Sequence, residues 1–297
     1  MRVAVVGATG LIGRALCDAL MARGDSVSAV SRGGAAGIPG AEDVRWDPAL
    51  GPPPAEALAG AAAVVNLAGA PMDRRWTAAR KRAIRESRVV TTRLLAGALA
   101  RQGGPGLLVN ASGTGYYGPR GDEEVDEAAA PGSDFLALTC VAWEREAAGA
   151  AEAGVRVVML RSGVVLAAHG GALPRLARPV RLFAGGPVGG GRQWLPWIHI
   201  DDEVGLILHA LDHQGVSGPV NAVAPDAVRQ REAAEVLGRL LGRPSILPVP
   251  AIAVRLAVGE MATLVLDGQR AVPRAALASG YRFRYPELEP ALRSLLS

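Results

Sequence analysis

Lysine is nearly absent from this chain: Lys81 is the only one among 32 basic residues, the rest being arginine. No long basic run occurs, and the formal charge of +4 is small for 297 residues. Together these argue against a nucleic-acid partner. Cysteine is scarce as well. Cys17 and Cys140 lie far apart in helical-looking segments with no metal-ligand spacing, so neither a disulfide framework nor a metal site is expected, which suits a reducing cytosol. Aromatic residues make up only 4%, so the core has to be built from Ala, Val and Leu. No apolar window reaches the ~18 residues of a membrane span. The apolar start lacks the basic flank and cleavage site of a secretory signal and reads better as a first strand. Cytoplasmic residence and no membrane partner are the expectation.

What is abundant is small and apolar. With 49% hydrophobic and 20% charged residues, 297 positions suffice for one large or two modest domains. The informative stretch is Val3 to Gly13, where four apolar residues run into Gly7, Gly10 and Gly13. A helical apolar period, Leu11-Ile12, Ala15-Leu16, Ala19-Leu20, follows at once. A buried strand turning sharply into a helix with this glycine spacing meets the demands of dinucleotide binding. Gly7 allows the turn, Gly10 lets a pyrophosphate approach the backbone, and Gly13 lets the helix pack closely. The helix N-terminus, with Thr9, Leu11 and Ile12 around it, offers free N–H groups to phosphate.

A second strand, Val27 to Val30, ends in Ser31-Arg32. An acidic residue there would bind a ribose 2′-hydroxyl, whereas Arg32 favours a 2′-phosphate and so NADP over NAD. A short strand is expected at Val44–Trp46, and another at 63–66 running into Leu67-Ala68-Gly69, small enough for cofactor ribose and phosphates to lie against the backbone. A helix over about 77–101 puts Ile84, Thr91, Leu95 and Ala98 on one face, with Arg88 among them. A charge on such a stripe reaches either an anion or an internal acid.

The strand from Leu107 runs into Ser112-Gly113-Thr114-Gly115-Tyr116-Tyr117, with hydroxyls at the strand end where ligands bind. The acidic run 122–127 reads as a solvated loop, and a helix near 133–150 carries Phe135, Cys140, Trp143 and Glu144. Val155 to Leu160 brings the count to about six parallel strands, a Rossmann-like, doubly wound α/β sheet. A glycine-rich loop ends in Trp194-Leu195-Pro196-Trp197-Ile198-His199, whose aromatics argue for order. Asp201 or Asp202 is placed to cap the helix that follows. Val220–Val223 reads as a last strand, and 229–297 as two or three short helices.

Taken together, GATGLIG (7–13), SR (31–32), NLAG (66–69), SR (87–88), GTGYYG (113–118), WE (143–144), RSGVVL (161–166), PWIHIDD (196–202), GQR (268–270) and GYRFRYPEL (280–288) resemble the extended short-chain dehydrogenase/reductase superfamily. Within it the chain is most similar to the atypical YfcH-like epimerase-family branch, over essentially its whole length. The resemblance implies NADP(H) contacts from the glycine loop, Ser31, Arg32, Leu67, Ala68, Arg88 and the Val165 segment.

The superfamily's chemistry rests on Tyr-x-x-x-Lys, in which the lysine lowers the tyrosine pKa and holds the ribose. A chain whose only lysine is Lys81 cannot supply that pair. Aligned on Trp143-Glu144, the two positions hold Leu136 and Cys140, or Phe135 and Thr139 one residue earlier. The remaining candidates are Ser112 and Thr114 to orient a substrate oxygen, and Tyr116, Tyr117 or His199 to donate a proton. His199 also reads as a structural histidine, and Cys140 as a buried thiol. The expected organisation is an NADP-binding domain over 1–166 plus about 199–223, with a smaller substrate lobe from about 167–198 and 224–297. The expected function is an NADP(H)-dependent oxidoreductase or epimerase acting on a small molecule. The other reading, from a different class, is a non-catalytic NADP(H) sensor or scaffold. A homodimer is left open.

Overall fold

The structure is a computed structural model and describes residues 1–102 and 106–296. The opening apolar run becomes β1 (Arg2–Val6), its last four residues buried, as befits a strand covered on both faces. The chain then alternates through α1 (Leu11–Ala22), β2 (Ser26–Ser31), β3 (Glu42–Arg45), β4 (Ala63–Asn66), α2 (Ala78–Gln102), β5 (Leu107–Gly113), α3 (Phe135–Ala148) and β6 (Arg156–Ser162). Two further helices, α4 (Leu173–Arg181) and α5 (Ile200–Asp212), precede β7 (Gly218–Ala222). All neighbours pair in parallel, in the order β7-β6-β5-β4-β1-β2-β3. This is a Rossmann-like, doubly wound α/β fold. The strand order reverses between β1 and β4, which opens a crevice at the carboxyl ends of those strands.

The core has the composition that aromatic scarcity demands. On one face Val3, Val5, Val109, Val158 and Leu160 pack against Leu16 and Leu20 of α1 and Leu206 and Ile207 of α5. On the other, Ala4, Val6, Val64 and Leu108 meet Leu95 and Leu99 of α2 and Ala147 of α3. A third cluster lies apart from the sheet. In it Leu173 and Val180 of α4, Trp197, Leu237 of α6 (Gln230–Leu240) and Leu288 and Leu292 of α9 (Leu288–Leu296) pack together.

Three local expectations differ from the structure. Among the described residues the C-terminal stretch holds five α-helices rather than two or three: between α6 and α9 come α7 (Ala251–Val258), a single turn over Thr263–Leu266 and α8 (Arg274–Ala278). Pro250, Gly259, Pro273 and Gly280 divide it into shorter pieces than hydrophobic period alone suggests. The acidic run is not a plain solvated loop. Glu124–Val125 pairs with Arg270–Ala271, Val125 is fully buried, and Glu124 and Asp126 meet Arg270 and Arg274 at 3.1–3.7 Å. The acids are matched by a basic segment 150 residues away in sequence. The cap of α5 is His199, not Asp201 or Asp202: its Nδ1 accepts the Asp201 N–H at 3.0 Å. The aromatic loop is ordered as expected, with Trp194 beneath the Arg229 guanidinium at 3.8 Å and donating to Asp122 at 3.2 Å. Among the described residues no helix is long and apolar enough to cross a membrane.

Candidate functional site

The glycine turn is the floor of the crevice. Gly7 has φ +83°, and a Cβ there would stand 3.0 Å from the Leu67–Ala68 backbone, so β4 runs hard against the turn. Gly10 caps α1, its N–H closing on the Gly7 carbonyl at 3.0 Å. A Cβ on Gly13 would overlap that same carbonyl oxygen and lie 2.9 Å from Ala8 Cα. Thr9 and Gly10 are exposed, and the N–H groups of Leu11, Ile12 and Gly13 open the helix without intrahelical acceptors. The donor set suits a pyrophosphate.

The neighbouring strand ends carry the other expected contacts. Ser31 is buried and accepts the Gly34 N–H at 3.2 Å, fixing the turn that presents Arg32. Arg32 is exposed and makes no hydrogen bond or ion pair among the described residues. The small stretch Leu67-Ala68-Gly69 is held by Asn66, which is fully buried, donates to Thr92 and Asn110 at 2.8 and 2.7 Å, and accepts the Ala68 N–H at 3.3 Å.

Arg88 reaches this stretch from α2. A Cβ on Gly69 would stand 2.9 Å from its guanidinium carbon, and its Nη1 donates to the Ala70 and Ile84 carbonyls at 3.1 and 3.0 Å. It lies over the Trp143 ring at 5.2 Å, and burial holds its pKa below the usual arginine range. Among the described residues no carboxylate pairs with it. Val165 is half-buried, and Leu11 of the glycine turn packs on Gly170–Gly171, which also abuts the Val165 carbonyl.

A buried polar network stands on the other side of the crevice. Ser112 donates to Glu144 Oε1 at 2.6 Å, and Arg161 grips both Glu144 oxygens at 2.8 Å each. Arg161 Nη1 donates to the Tyr117 hydroxyl at 3.0 Å, and that hydroxyl donates to Asn221 Oδ1 at 2.6 Å. The Arg161 guanidinium also lies 3.5 Å over the Tyr116 ring.

These contacts sort the candidate residues. Tyr117 is fully buried and burial pushes its pKa up to about 12, so its hydroxyl serves the network. Tyr116 is half-buried, and its hydroxyl has no partner among the described residues. Thr114 is buried at the start of the turn that carries both tyrosines. His199 stands apart. It is 3% exposed, stacked on Tyr285 at 3.9 Å, and its nitrogens meet the Asp201 N–H and, at 3.2 Å, the Ser294 hydroxyl. Burial lowers its pKa, and the ring has no free nitrogen for substrate. Cys140 is buried near Ser112 and Gly113, and desolvation pushes its thiol up to about 11, far from a thiolate nucleophile. The sequence reading missed Glu144, Arg161 and Asn221 as site residues. Their sequence signal is a polar or charged residue inside an otherwise apolar strand or helix face, with Glu144 and Arg161 also falling in the WE and RSGVVL motifs.

The fold and this crevice define a dinucleotide-binding α/β protein with an opposed polar wall. Residues 3–223 match the NAD dependent epimerase/dehydratase family, and 249–295 match a domain of unknown function, DUF1731. The chain belongs to the NAD dependent epimerase/dehydratase family. It is 39% identical over 310 residues to the chloroplastic epimerase family protein SDR39U1 homolog of Arabidopsis thaliana, covering 100% of this chain and 87% of that one. The crystal structure of human epimerase family protein SDR39U1 (isoform 2) with NADPH superimposes with a TM-score of 0.88 at 38% identity, covering 99% of both chains. A nucleoside-diphosphate sugar epimerase from Corynebacterium glutamicum gives 0.82 at 36% identity, over 100% of this chain and 58% of that one.

Proposed function

We propose that this chain binds NADP(H) across the crevice and acts as an oxidoreductase or epimerase on a small hydroxyl- or carbonyl-bearing molecule, without a Tyr-x-x-x-Lys pair. The observation that carries the reading is the pair of arginines without acid partners among the described residues, Arg32 at the end of β2 and Arg88 against Gly69, flanking a helix N-terminus with open N–H groups. Uncompensated cations beside a glycine turn suit a ligand with several phosphates. The NADPH in the human relative supports the choice of cofactor. Gly7, Thr9, Gly10, Leu11, Ile12 and Gly13 hold the pyrophosphate, Ser31 and Arg32 the 2′-phosphate side, and Leu67, Ala68, Gly69, Arg88 and Val165 the rest.

When bound, the dinucleotide supplies or takes a hydride. The chain's own part is to orient substrate and move a proton. Because Ser112 gives its proton to Glu144, its oxygen presents lone pairs and receives a substrate hydroxyl. Thr114 lies beside it, and Tyr116, whose hydroxyl has no partner among the described residues, carries the proton. Residues 167–198 and 224–297 serve as the substrate lobe. The name of the Corynebacterium relative makes nucleotide sugars the first compounds to try.

Titration calorimetry with NADPH and NADH tests the cofactor assignment. NADPH binds more tightly, and Arg32→Ala erases most of that preference, about 1.5–3 kcal/mol for a charge-assisted contact. Equal affinity for both in the unaltered protein refutes it. The second reading, a non-catalytic NADP(H) sensor or scaffold, is favoured by Leu136 and Cys140, neither of which supplies an acid on α3. A screen of carbonyl compounds and nucleotide sugars that finds no NADPH oxidation moves the assignment to it.

A further inference from the structure

Two adjacent acids of the described chain, Asp202 and Glu203, are fully buried, and only Glu203 has a carboxylate oxygen left without a hydrogen-bond partner. Glu203, in the first turn of α5, accepts the Ser162 hydroxyl at 2.6 Å on Oε1, and its Oε2 has no hydrogen-bond partner. A carboxylate held this way is costly without a counter-charge. None is supplied: burial is the largest influence on its titration, only the Ser162 hydroxyl opposes it, and the group is raised to about 7. Arg14 of α1 is turned to the Thr9 and Ala36 carbonyls, Asp202 of α5 itself is held by Tyr281, and Arg161 of β6 is turned to Glu144 on the opposite face. Tyr281, packed on α5, is a group whose own titration Glu203 perturbs.

Ser162 is not sealed in with it. It ends β6, between Gly113 of β5 and Ala222 of β7, and is half-buried. The segment that follows passes through Val165 to Gly171, against which Leu11 of the glycine turn packs. Arg32 stands on the β2 side of the turn. A dinucleotide whose 2′-phosphate lies there and whose pyrophosphate lies on α1 extends the other way, over β4, β5 and β6.

We infer that Ser162 is a further contact for the nicotinamide end of the dinucleotide, and that Glu203 is the positioning residue that decides whether its hydroxyl accepts or donates there. The inference rests on the cofactor reading above. With Glu203 ionised, the Ser162 proton points to Oε1 and the serine oxygen turns lone pairs to the crevice, so it accepts from an amide N–H. With Glu203 protonated, the carboxyl O–H donates to Ser162, and the serine proton is released outward to a carbonyl oxygen.

The test compares NADP⁺ with its 3-acetylpyridine analogue, in which a methyl group replaces the amide nitrogen and removes the N–H donors. The ratio of their dissociation constants is measured from pH 5.5 to 8.5. The preference for NADP⁺ grows by roughly fivefold as pH rises through the Glu203 range, the worth of one neutral hydrogen bond. Glu203→Gln, close in shape, holds the ratio flat, and Ser162→Ala removes its pH dependence. A flat ratio in the unaltered protein with both ligands binding overturns the inference, even if thermal stability changes over the same range. Failure of both ligands to bind overturns the cofactor reading and this contact with it, whereas NADP⁺ binding without the analogue even at pH 5.5 overturns this contact alone.

Discussion

Tyr116 and Tyr117 follow one another in the chain, yet the turn after β5 sends them to different fates. Tyr117 is enclosed with Asn221 and Arg161, and its hydroxyl has a donor and an acceptor already. Tyr116 offers its ring to the Arg161 guanidinium and its hydroxyl has no partner among the described residues. Tyr116→Phe is therefore expected to cut turnover by the ~10²–10⁴-fold of a general acid while NADPH affinity stays, measured once a substrate is in hand. Tyr117→Phe strands Asn221 Oδ1 and one Arg161 donor and acts on stability instead, by about 1–3 kcal/mol in denaturant melts. Cys140→Ala is nearly silent in turnover, since its thiol is held protonated by burial. The opposite pattern, turnover lost in Tyr117→Phe with stability intact, reverses the assignment. The sequence brought both tyrosines to the crevice because that follows from lying at a strand end. It left them equivalent, because Arg161 is 44 residues away in sequence and acts through the pairing of β5 with β6. His199 was ambiguous for the same reason: Ser294 and Tyr285, which engage it, lie some ninety residues downstream.

The β1–α1 unit was legible in full, because everything that shapes it is local. Its three glycines have separable duties, and two substitutions resolve them. A Cβ on Gly13 meets backbone only, the Gly7 carbonyl and Ala8, so Gly13→Ala forces α1 off the turn. A cost of about 1–3 kcal/mol in the ligand-free protein is expected, with loss of NADPH binding. At Gly10 the nearest atom to a new Cβ is the Gly7 carbonyl oxygen at 3.3 Å, and the rest faces the crevice. Gly10→Ala should leave the ligand-free melting temperature within a degree or two while weakening NADPH sharply. Equal destabilisation by both means that the turn is packed for the fold rather than for a ligand. The helices after α6 were less legible, because short pieces bounded by Pro and Gly have too few turns to show a period. The acidic run 122–127 was read as solvated because its partners, Arg270 and Arg274, are invisible to any local window.

At the scale of the whole molecule, the question is how the last seventy residues are fastened to the sheet. Composition and strand–helix alternation foretold the doubly wound sheet, but not the fastening, in which one buried acid takes part. Asp202, at the start of α5, is fully buried and its carboxylate receives the Tyr281 hydroxyl at 3.0 Å and the Arg284 and Tyr285 N–H groups at 2.7 and 2.8 Å. Gly205, one turn on, leaves room for the Tyr281 ring, since any Cβ there would overlap the tyrosine hydroxyl. Asp201, beside it, pairs at 2.9 Å with the Arg284 side chain, which is exposed. The two acids are adjacent, but one pairs with a cation and the other with neutral donors, and their energetics differ. An exposed pair contributes a few tenths of a kcal/mol, whereas removing the Asp202 carboxylate takes the acceptor from two part-buried backbone N–H groups, those of Arg284 and Tyr285, and leaves the Tyr281 hydroxyl only the Asp202 carbonyl at 3.2 Å. Asp202→Ala should therefore lower stability by about 2–3 kcal/mol, roughly 4–12 °C in melting temperature for a chain of this size. Arg284→Ala should move it by no more than a degree or two. Differential scanning calorimetry of the two variants decides the matter: equal, small shifts would mean that the C-terminal segment is held by its apolar contacts, Leu288 and Leu292 among them, and that the Asp202 cage adds nothing to them.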